Sequence, residues 1–320
     1  MINGIALSEY VMDTEKEKEM SRGITCFTCR DSVRCVSKVA WSPDGHYLAA
    51  GSSDGRVRIW ETDTWKAVGV FDTLAGRVAN SQELYVRAAL HMLSWSLDGK
   101  TIQLSPTEHW NVHTGFSHTG EVVPTPALQR ARTHVTFAGY YARIPKVHQE
   151  DVGPAHWFFH RDAYILVNCM DESPDRQQIA YGGRDHAVWI WNVNQLKMVQ
   201  SYTPHTGSVM CVAWSPDGSH IASSSYDTSI QIYEVGTGEE RGICTGHENV
   251  VLDVCWSPDG QQVASSSWDK TARVWDALTG ECVYRYQGHT GPVNSIAWSP
   301  DRRYLASGSW DHTVQVWEAR

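Results

Sequence analysis

The sequence predicts an all-β chain, a single ring of repeated four-stranded antiparallel blades. Three observations lead there. The 320 residues hold 15 tryptophans against 6 phenylalanines, a skew that arises when one position is reused in internal repeats. A Trp-Ser-Pro-Asp turn marker returns with steps of 42 residues at positions 172, 214, 256 and 298, with Glu172 in the Trp place. Between markers lie short runs of alternating β-branched and polar residues parted by turn residues, the pattern of antiparallel strands. Four such strands in a period of about 42 residues make one propeller blade.

In chain order, residues 1–22 carry the charged run Glu15-Lys16-Glu17-Lys18-Glu19 and read as a mobile or briefly helical tail. Residues 23–320 read as one propeller domain. The segment Ile24 to Cys29 has strand character but no preceding blade to serve. Thr25 precedes Trp41 by the same 16 residues that separate Cys282 from Trp298, and the last repeat stops at Arg320 directly after its third strand. This N-terminal strand is therefore predicted to complete the last blade, since an unclosed ring would leave a sheet edge bare.

The first blade opens at Trp41-Ser42-Pro43-Asp44-Gly45. An altered marker, Trp95-Ser96-Leu97-Asp98-Gly99, follows 54 residues later, and its third strand ends at Trp110 after only 15 residues. From Trp41 to Glu172 is 131 residues, about three periods, which leaves room for a degenerate unit within 118–160. The second and third blades are thus divergent, within about 62–165. The last four blades open at Glu172, Trp214, Trp256 and Trp298. A second ruler agrees: 19 residues separate Trp41 from Trp60, Glu172 from Trp191, Trp214 from Tyr233, Trp256 from Trp275 and Trp298 from Trp317. The count is seven blades, with six as the alternative.

These residues resemble the WD-repeat (WD40) β-propeller family. Its Gly-His signature is matched at Gly246-His247 and Gly288-His289, with His205 in register, and its Trp-Asp survives literally at Trp275-Asp276. The resemblance covers 23–61 and 166–320. It implies a buried Asp–His–Ser–Trp network, matched by His289, Ser307, Asp311 and Trp317 and again by His247, Ser265, Asp269 and Trp275. His205, Ser223, Asp227 and Tyr233 nearly repeat it. Such a chain stabilises when every group is satisfied. A Ser/His/Asp set invites a catalytic reading, but a nucleophile is not repeated every 42 residues. The first blade has Ala50 beside Asp54 and Trp60, and the fourth has Tyr181 beside Asp185 and Trp191. Those blades, with the second and third, are expected to be less tightly pinned.

The resemblance also implies that the residue before each turn Asp faces the top surface near the channel mouth. Here it is Ser53, Arg184, Tyr226, Trp268 and Trp310. The first-strand position four before the marker points to the same face and holds Ser37, Asn168, Met210, Leu252 and Asn294. Met210, Tyr226, Leu252, Trp268 and Trp310 would put large apolar groups on three adjacent blades, with Arg184 and Asn294 beside them. Clustered exposed aromatics are interface anchors, and these seven residues form the predicted partner-binding set.

Net charge of −9 counts against a nucleic-acid footprint and favours a protein or peptide partner with basic residues. No apolar run of about 18 residues predicts a membrane span, and the first residues show no secretory signal. Eight cysteines scattered through the chain suit a reducing cytosol, so the expected location is cytoplasmic. Cys26 and Cys29 are half a zinc site at most, and in an alternating strand their thiols diverge; both read as buried apolar cysteines. His109, His113, His118, His134, His148, His156 and His160 crowd the irregular middle, but in segments where ligand spacing does not converge. No cofactor, catalytic group or metal is predicted. The reading is a non-enzymatic scaffold or sensor module, a monomeric propeller binding a protein or peptide on its top face. The alternative is an enzyme or metal-dependent site within 100–165.

Overall fold

The computed structural model describes residues 25–30, 32, 34–72, 93–96, 101–105, 108–111, 117–119, 136–138, 141–143, 167–195, 197–203 and 205–319. The predicted tail, and most of the segment assigned to a degenerate third unit, lie outside the described residues. Among the described residues there are six four-stranded antiparallel sheets, one two-stranded sheet and no helix.

Sheet I holds Val36–Trp41, Tyr47–Ser52, Arg56–Glu61 and Ala67–Asp72. Sheet II holds Ser94–Trp95, Thr101–Ser105, Glu108–Asn111 and Ser117–Thr119. A hairpin of Thr136–Ala138 and Tyr141–Arg143 follows, inside the stretch where a third unit is expected. Sheet III runs from Val167–Glu172 through Gln178–Gly183 and Val188–Asn192 to Lys197–Tyr202. Sheet IV runs from Val209–Trp214 to Glu240–Cys244, and sheet V from Val251–Trp256 to Cys282–Tyr286. Sheet VI takes Val293–Trp298, Tyr304–Ser309 and Val314–Glu318, and its fourth strand is Thr25–Cys29.

That fourth strand pairs antiparallel with the third, Phe27 opposite Val316 and Cys29 opposite Val314. The two ends of the described chain are therefore joined in one sheet, as the spacing of Thr25 and Cys282 predicts. The join is locked from sheet V, because Tyr286 OH lies 2.6 Å from Thr25 Oγ1 and donates to Gln315 Oε1 at 2.6 Å. Trp65, which has no role in the repeat, stacks on Phe27 at 4.7 Å between ring centroids. The paired cysteines depart from expectation. Their thiols diverge, but Cys26 is exposed and only Cys29 is buried, because a register shift between Thr25 and Phe27 turns the intervening side chain outward.

Local chemistry explains the repeated turn. In each Ser-Pro-Asp the serine hydroxyl donates to the aspartate, as Ser42 does to Asp44 Oδ1 at 2.5 Å and Ser257 to Asp259 Oδ1 at 2.6 Å. The serine Oγ in turn accepts the first N–H of the next strand, from Tyr47 to Ser42 at 2.9 Å and from Gln262 to Ser257 at 2.9 Å. Second strands such as His220–Ser225 and Gln262–Ser267 are buried at almost every position and rich in Ala and Ser. They are covered on both faces by neighbouring sheets, so small residues predominate. At Gly308 an added Cβ would come within 2.6 Å of Val36 Cγ1.

Four of the marker tryptophans tie their sheet to the one before it through the indole N–H. Trp214 Nε1 donates to Asp171 O at 3.2 Å, Trp256 to Ala213 O at 3.0 Å, Trp41 to Ala297 O at 3.2 Å and Trp95 to Ala40 O at 3.1 Å. Together with packing of sheet V on VI through Ile296 and Trp298, these contacts set the order III, IV, V, VI, I, II. Two results follow for the closing strand. Deleting residues 1–30 is expected to bare the edge of sheet VI and give aggregation on size exclusion. Tyr286→Phe, which loses two hydrogen bonds, is expected to lower stability by about 1–2 kcal/mol, read as the urea midpoint.

Candidate interaction surface

The surface is built on the turn that joins the second and third strands of each sheet. In sheet V, Asp269 Oδ2 lies 2.7 Å from His247 Nδ1, His247 Nε2 lies 2.8 Å from Ser265 Oγ, and Trp275 Nε1 donates to Ser265 Oγ at 2.8 Å. Sheet VI repeats the chain through Asp311, His289, Ser307 and Trp317 at 2.8, 2.8 and 3.3 Å. In sheet IV, Asp227, His205 and Ser223 take the same places, while Tyr233 OH turns to Gln231 instead. In both sheets the indole N–H donates to the hydroxyl, and the imidazole bridges the hydroxyl and the carboxylate; with a neutral ring carrying its proton on Nδ1, Nδ1–H donates to the carboxylate and the hydroxyl donates to Nε2.

The charges agree with this. Burial opposes ionisation of Asp227, but hydrogen bonds from Ser229 and the adjacent His205 outweigh it and hold its pKa at about 2. Asp269 and Asp311 are likewise held well below the usual carboxylate range, against burial, by His247 and His289. Burial pushes the imidazoles of His205 and His247 down despite Asp227 and Asp269. A histidine with a depressed folded pKa contributes stability that is full above about pH 6.5 and is lost as pH falls through the folded value. The His205→Gln/His247→Gln variant, with no imidazole to charge, is expected to lose less stability between pH 7 and pH 5 than the natural chain, measured by thermal unfolding.

Sheets I and III hold the turn Asp by a different contact. Where the Ser and His are missing, the residue four after the turn Asp takes the carboxylate. Arg58 Nη2 donates to Asp54 Oδ2 at 2.8 Å with the arginine only 4 % exposed, and Trp189 Nε1 donates to Asp185 Oδ2 at 2.7 Å. The column Arg58, Trp189, Gln231, Arg273 and Gln315 was available in the sequence, and it gives Trp189 a role.

Directly before three of these aspartates stand Tyr226, Trp268 and Trp310. Their rings form one run of edge-to-face contacts across sheets IV, V and VI, 6.0 Å and 71° from Tyr226 to Trp268 and 6.2 Å and 61° from Trp268 to Trp310. Tyr226 and Trp310 are each 49 % exposed, and Trp268 between them is partly covered. Their backbones are held, since the N–H groups donate to Ser208 O, Val250 O and Pro292 O at 2.9, 3.0 and 2.9 Å. At Gly207 and Gly291 an added Cβ would approach Asp227 N and Asp311 N to 2.8 Å, so only glycine lets the preceding loop lie this close.

The first-strand set has a backbone origin. In sheets I, III, IV, V and VI the pairing register slips by one residue between Val36 and Lys38, Val167 and Cys169, Val209 and Cys211, Val251 and Asp253, and Val293 and Ser295. The residues skipped are Ser37, Asn168, Met210, Leu252 and Asn294, so each is the extra residue of a bulge, a device that re-aims a side chain. Met210 and Leu252 are half-buried. Asn294 Nδ2 donates to Val36 O at 2.8 Å and Asn168 Nδ2 to Val209 O at 2.8 Å, so both join neighbouring sheets. Arg184 is exposed beside Asp185 of sheet III.

Among the described residues no group of three or more His, Cys, Asp or Glu is placed to hold a metal ion, and no helix is long and apolar enough to cross a membrane. The side chains of the histidine-dense middle, and Trp157, lie outside the described residues.

Comparison with known proteins gives a consistent picture. The family model described as WD domain, G-beta repeat, matches residues 23–61, 155–192, 196–234, 238–276 and 280–318, together more than half of the chain. The B-type cell cycle switch protein ccs52A of Medicago truncatula is 24 % identical over 175 residues, 55 % of this chain and 27 % of that protein. The WD repeat-containing protein WRAP73 of Mus musculus is 24 % identical over 174 residues, 51 % of this chain and 30 % of that protein. The matched region thus spans less than a third of either relative.

Proposed function

The chain belongs to the WD40 repeat family, and from that premise we propose that it is a non-enzymatic interaction module. Its partner is a protein or peptide segment seated on the face that carries Tyr226, Trp268 and Trp310. The observation that carries this is the ring run itself: large apolar groups, the outer two half exposed, on a backbone already fixed before a partner arrives. Preorganised rings lose little freedom on binding, which is what makes aromatic anchors effective. Met210, Leu252, Arg184 and Asn294 complete the proposed contact set.

The partner is one with basic residues. Behind each ring stands a carboxylate held ionised, at Asp227, Asp269 and Asp311, while the imidazoles of His205 and His247 are pushed toward the neutral form. Aromatic rings with ionised carboxylates next to them in the chain suit an arginine or lysine side chain, in keeping with a net charge of −9. The relatives' names add regulation rather than catalysis, one being a cell cycle switch protein. We further infer seven blades, the hairpin of Thr136–Ala138 and Tyr141–Arg143 belonging to the one between sheets II and III. All eight cysteines are free thiols, which suits a cytoplasmic monomer. Peptide arrays of basic and acidic sequences, probed with the purified chain, test the reading. Retention by basic sequences supports it, and binding confined to acidic ones would overturn it.

A further inference from the structure

Most joints between neighbouring sheets use the same contacts, so those contacts cannot tell one joint from another. Sheets IV, V and VI are near copies, with markers 42 residues apart. A ring of interchangeable parts can close wrongly, by expelling a sheet or exchanging one with a second copy, a known hazard of repeat proteins. Something that does not repeat has to specify the closure.

One inner-strand position breaks the repeat. Three residues before the marker stand Lys38 in sheet I, Cys169 in III, Cys211 in IV, Asp253 in V and Ser295 in VI. Asp253 is 4 % exposed. Its Oδ2 accepts from Lys38 Nζ at 2.7 Å, Ser295 Oγ at 2.8 Å and Ile296 N at 3.1 Å. Its Oδ1 accepts from the Cys211 thiol at 3.1 Å and Val254 N at 3.2 Å. One carboxylate therefore gathers donors from sheets I, IV, V and VI. Sheets I and V are not neighbours, since VI lies between them, and Ser295 Oγ carries the link onward by accepting from Val39 N at 3.2 Å. Lys38 and Asp253 are 215 residues apart in the chain.

Asp253 is the buried member of the pair, while the Lys38 side chain keeps 29 % exposure. A charge pair with a buried member adds little net stability over apolar residues of like volume, whereas leaving the buried carboxylate alone is costly. Its best-attested use is to fix register. We propose that Asp253 and Lys38 are the registry lock of the ring, specifying that sheet I closes two places beyond sheet V with VI between. In any other closure the ammonium and the carboxylate are separated, each left without its counter-charge.

The test compares Lys38→Met, Asp253→Leu, the Lys38→Met/Asp253→Leu pair, Asp253→Asn and the exchanged pair Lys38→Asp/Asp253→Lys after refolding of the full chain. Thermal midpoint, native mass spectrometry and limited proteolysis are read together. The single variants Lys38→Met and Asp253→Leu lower the midpoint. The apolar pair recovers much of it but refolds to more than one species, with dimers or a protease-sensitive sheet beside the monomer. Asp253→Asn, which keeps the shape, serves if the apolar pair does not fold, and it too gives a mixture. The exchanged pair restores nothing, because a lysine at 253 cannot accept from Ser295, Ile296 and Cys211. A single species from the apolar pair or from Asp253→Asn, as from the natural chain, overturns the proposal, whereas a single species from the exchanged pair would show that the ion pair alone fixes the closure.

Discussion

Replacing Trp268 and Trp310 together by alanine is expected to weaken partner binding by about a hundredfold or more while leaving the fold intact. Truncating an anchor ring in an interface commonly costs about 2 kcal/mol, and each 1.4 kcal/mol is about a tenfold change. The two rings touch at 6.2 Å between centroids, so their effects are coupled and the double variant is the informative one. The fold should survive. Trp310 is half exposed, and neither residue belongs to the buried network, whose members are Asp269, His247 and Ser265 and their counterparts in sheet VI. Circular dichroism and a thermal midpoint within a few degrees of the natural chain establish that. Binding is then compared by titration with the basic sequences selected on arrays. Equal affinity for both chains would remove the rings from the account.

The second large effect is on stability. Asp269→Ala strips acceptors from four donors at once: His247 Nδ1–H, Glu248 N–H, Thr271 N–H and the Thr271 hydroxyl, at 2.7, 3.1, 2.9 and 2.7 Å. A buried donor left unpaired costs about 1–3 kcal/mol. Some of these reach water in the variant, so a loss of about 3–5 kcal/mol is expected, a large share of the roughly 5–15 kcal/mol that holds a domain folded. Asp54→Ala in sheet I is expected to be comparably damaging, because it leaves the buried Arg58 guanidinium without its carboxylate. Ala50→Ser, which restores the family's serine without its histidine, should gain nothing. Denaturant midpoints measure all three, and a near-neutral Asp269→Ala would show that the network is not what pins the turn.

The parts of this fold legible in the sequence are those that recur. The Ser-Pro-Asp turn, the His–Ser–Asp offsets and the strand that closes sheet VI could be read because the same spacing appears several times, and each copy checks the others. Tyr226, Trp268 and Trp310 were locatable for the same reason, as one column of the repeat. One-off solutions were not legible. Arg58 and Trp189 replace a missing imidazole by reaching back to Asp54 and Asp185, and although their column is present in the sequence, residue types as different as Arg, Trp and Gln announce no common use. The bulges that display Met210 and Leu252 are set by backbone pairing, which side-chain patterns do not encode. The same kind of irregularity turned Cys26 outward, where it was read as a buried apolar cysteine. Lys38 and Asp253 meet only because the ring closes, so neither residue says anything about the other until the sheets are in place. Asn294 was placed on the right strand, but its amide spends its donor on Val36 O, a use that its position alone does not reveal.

The most direct test of the central claim is where a bound partner touches the chain. A photoreactive amino acid placed at Thr290, whose backbone N–H is held by Asp311 beside Trp310, samples the ring-bearing face. The same group at Leu278, 80 % exposed in a turn beyond the far end of the third strand of sheet V, samples another surface. The account predicts a partner adduct from position 290 that disappears in the Trp268→Ala/Trp310→Ala background, and none from 278. Adducts from 278 alone, or adducts at 290 that survive loss of both rings, would contradict it.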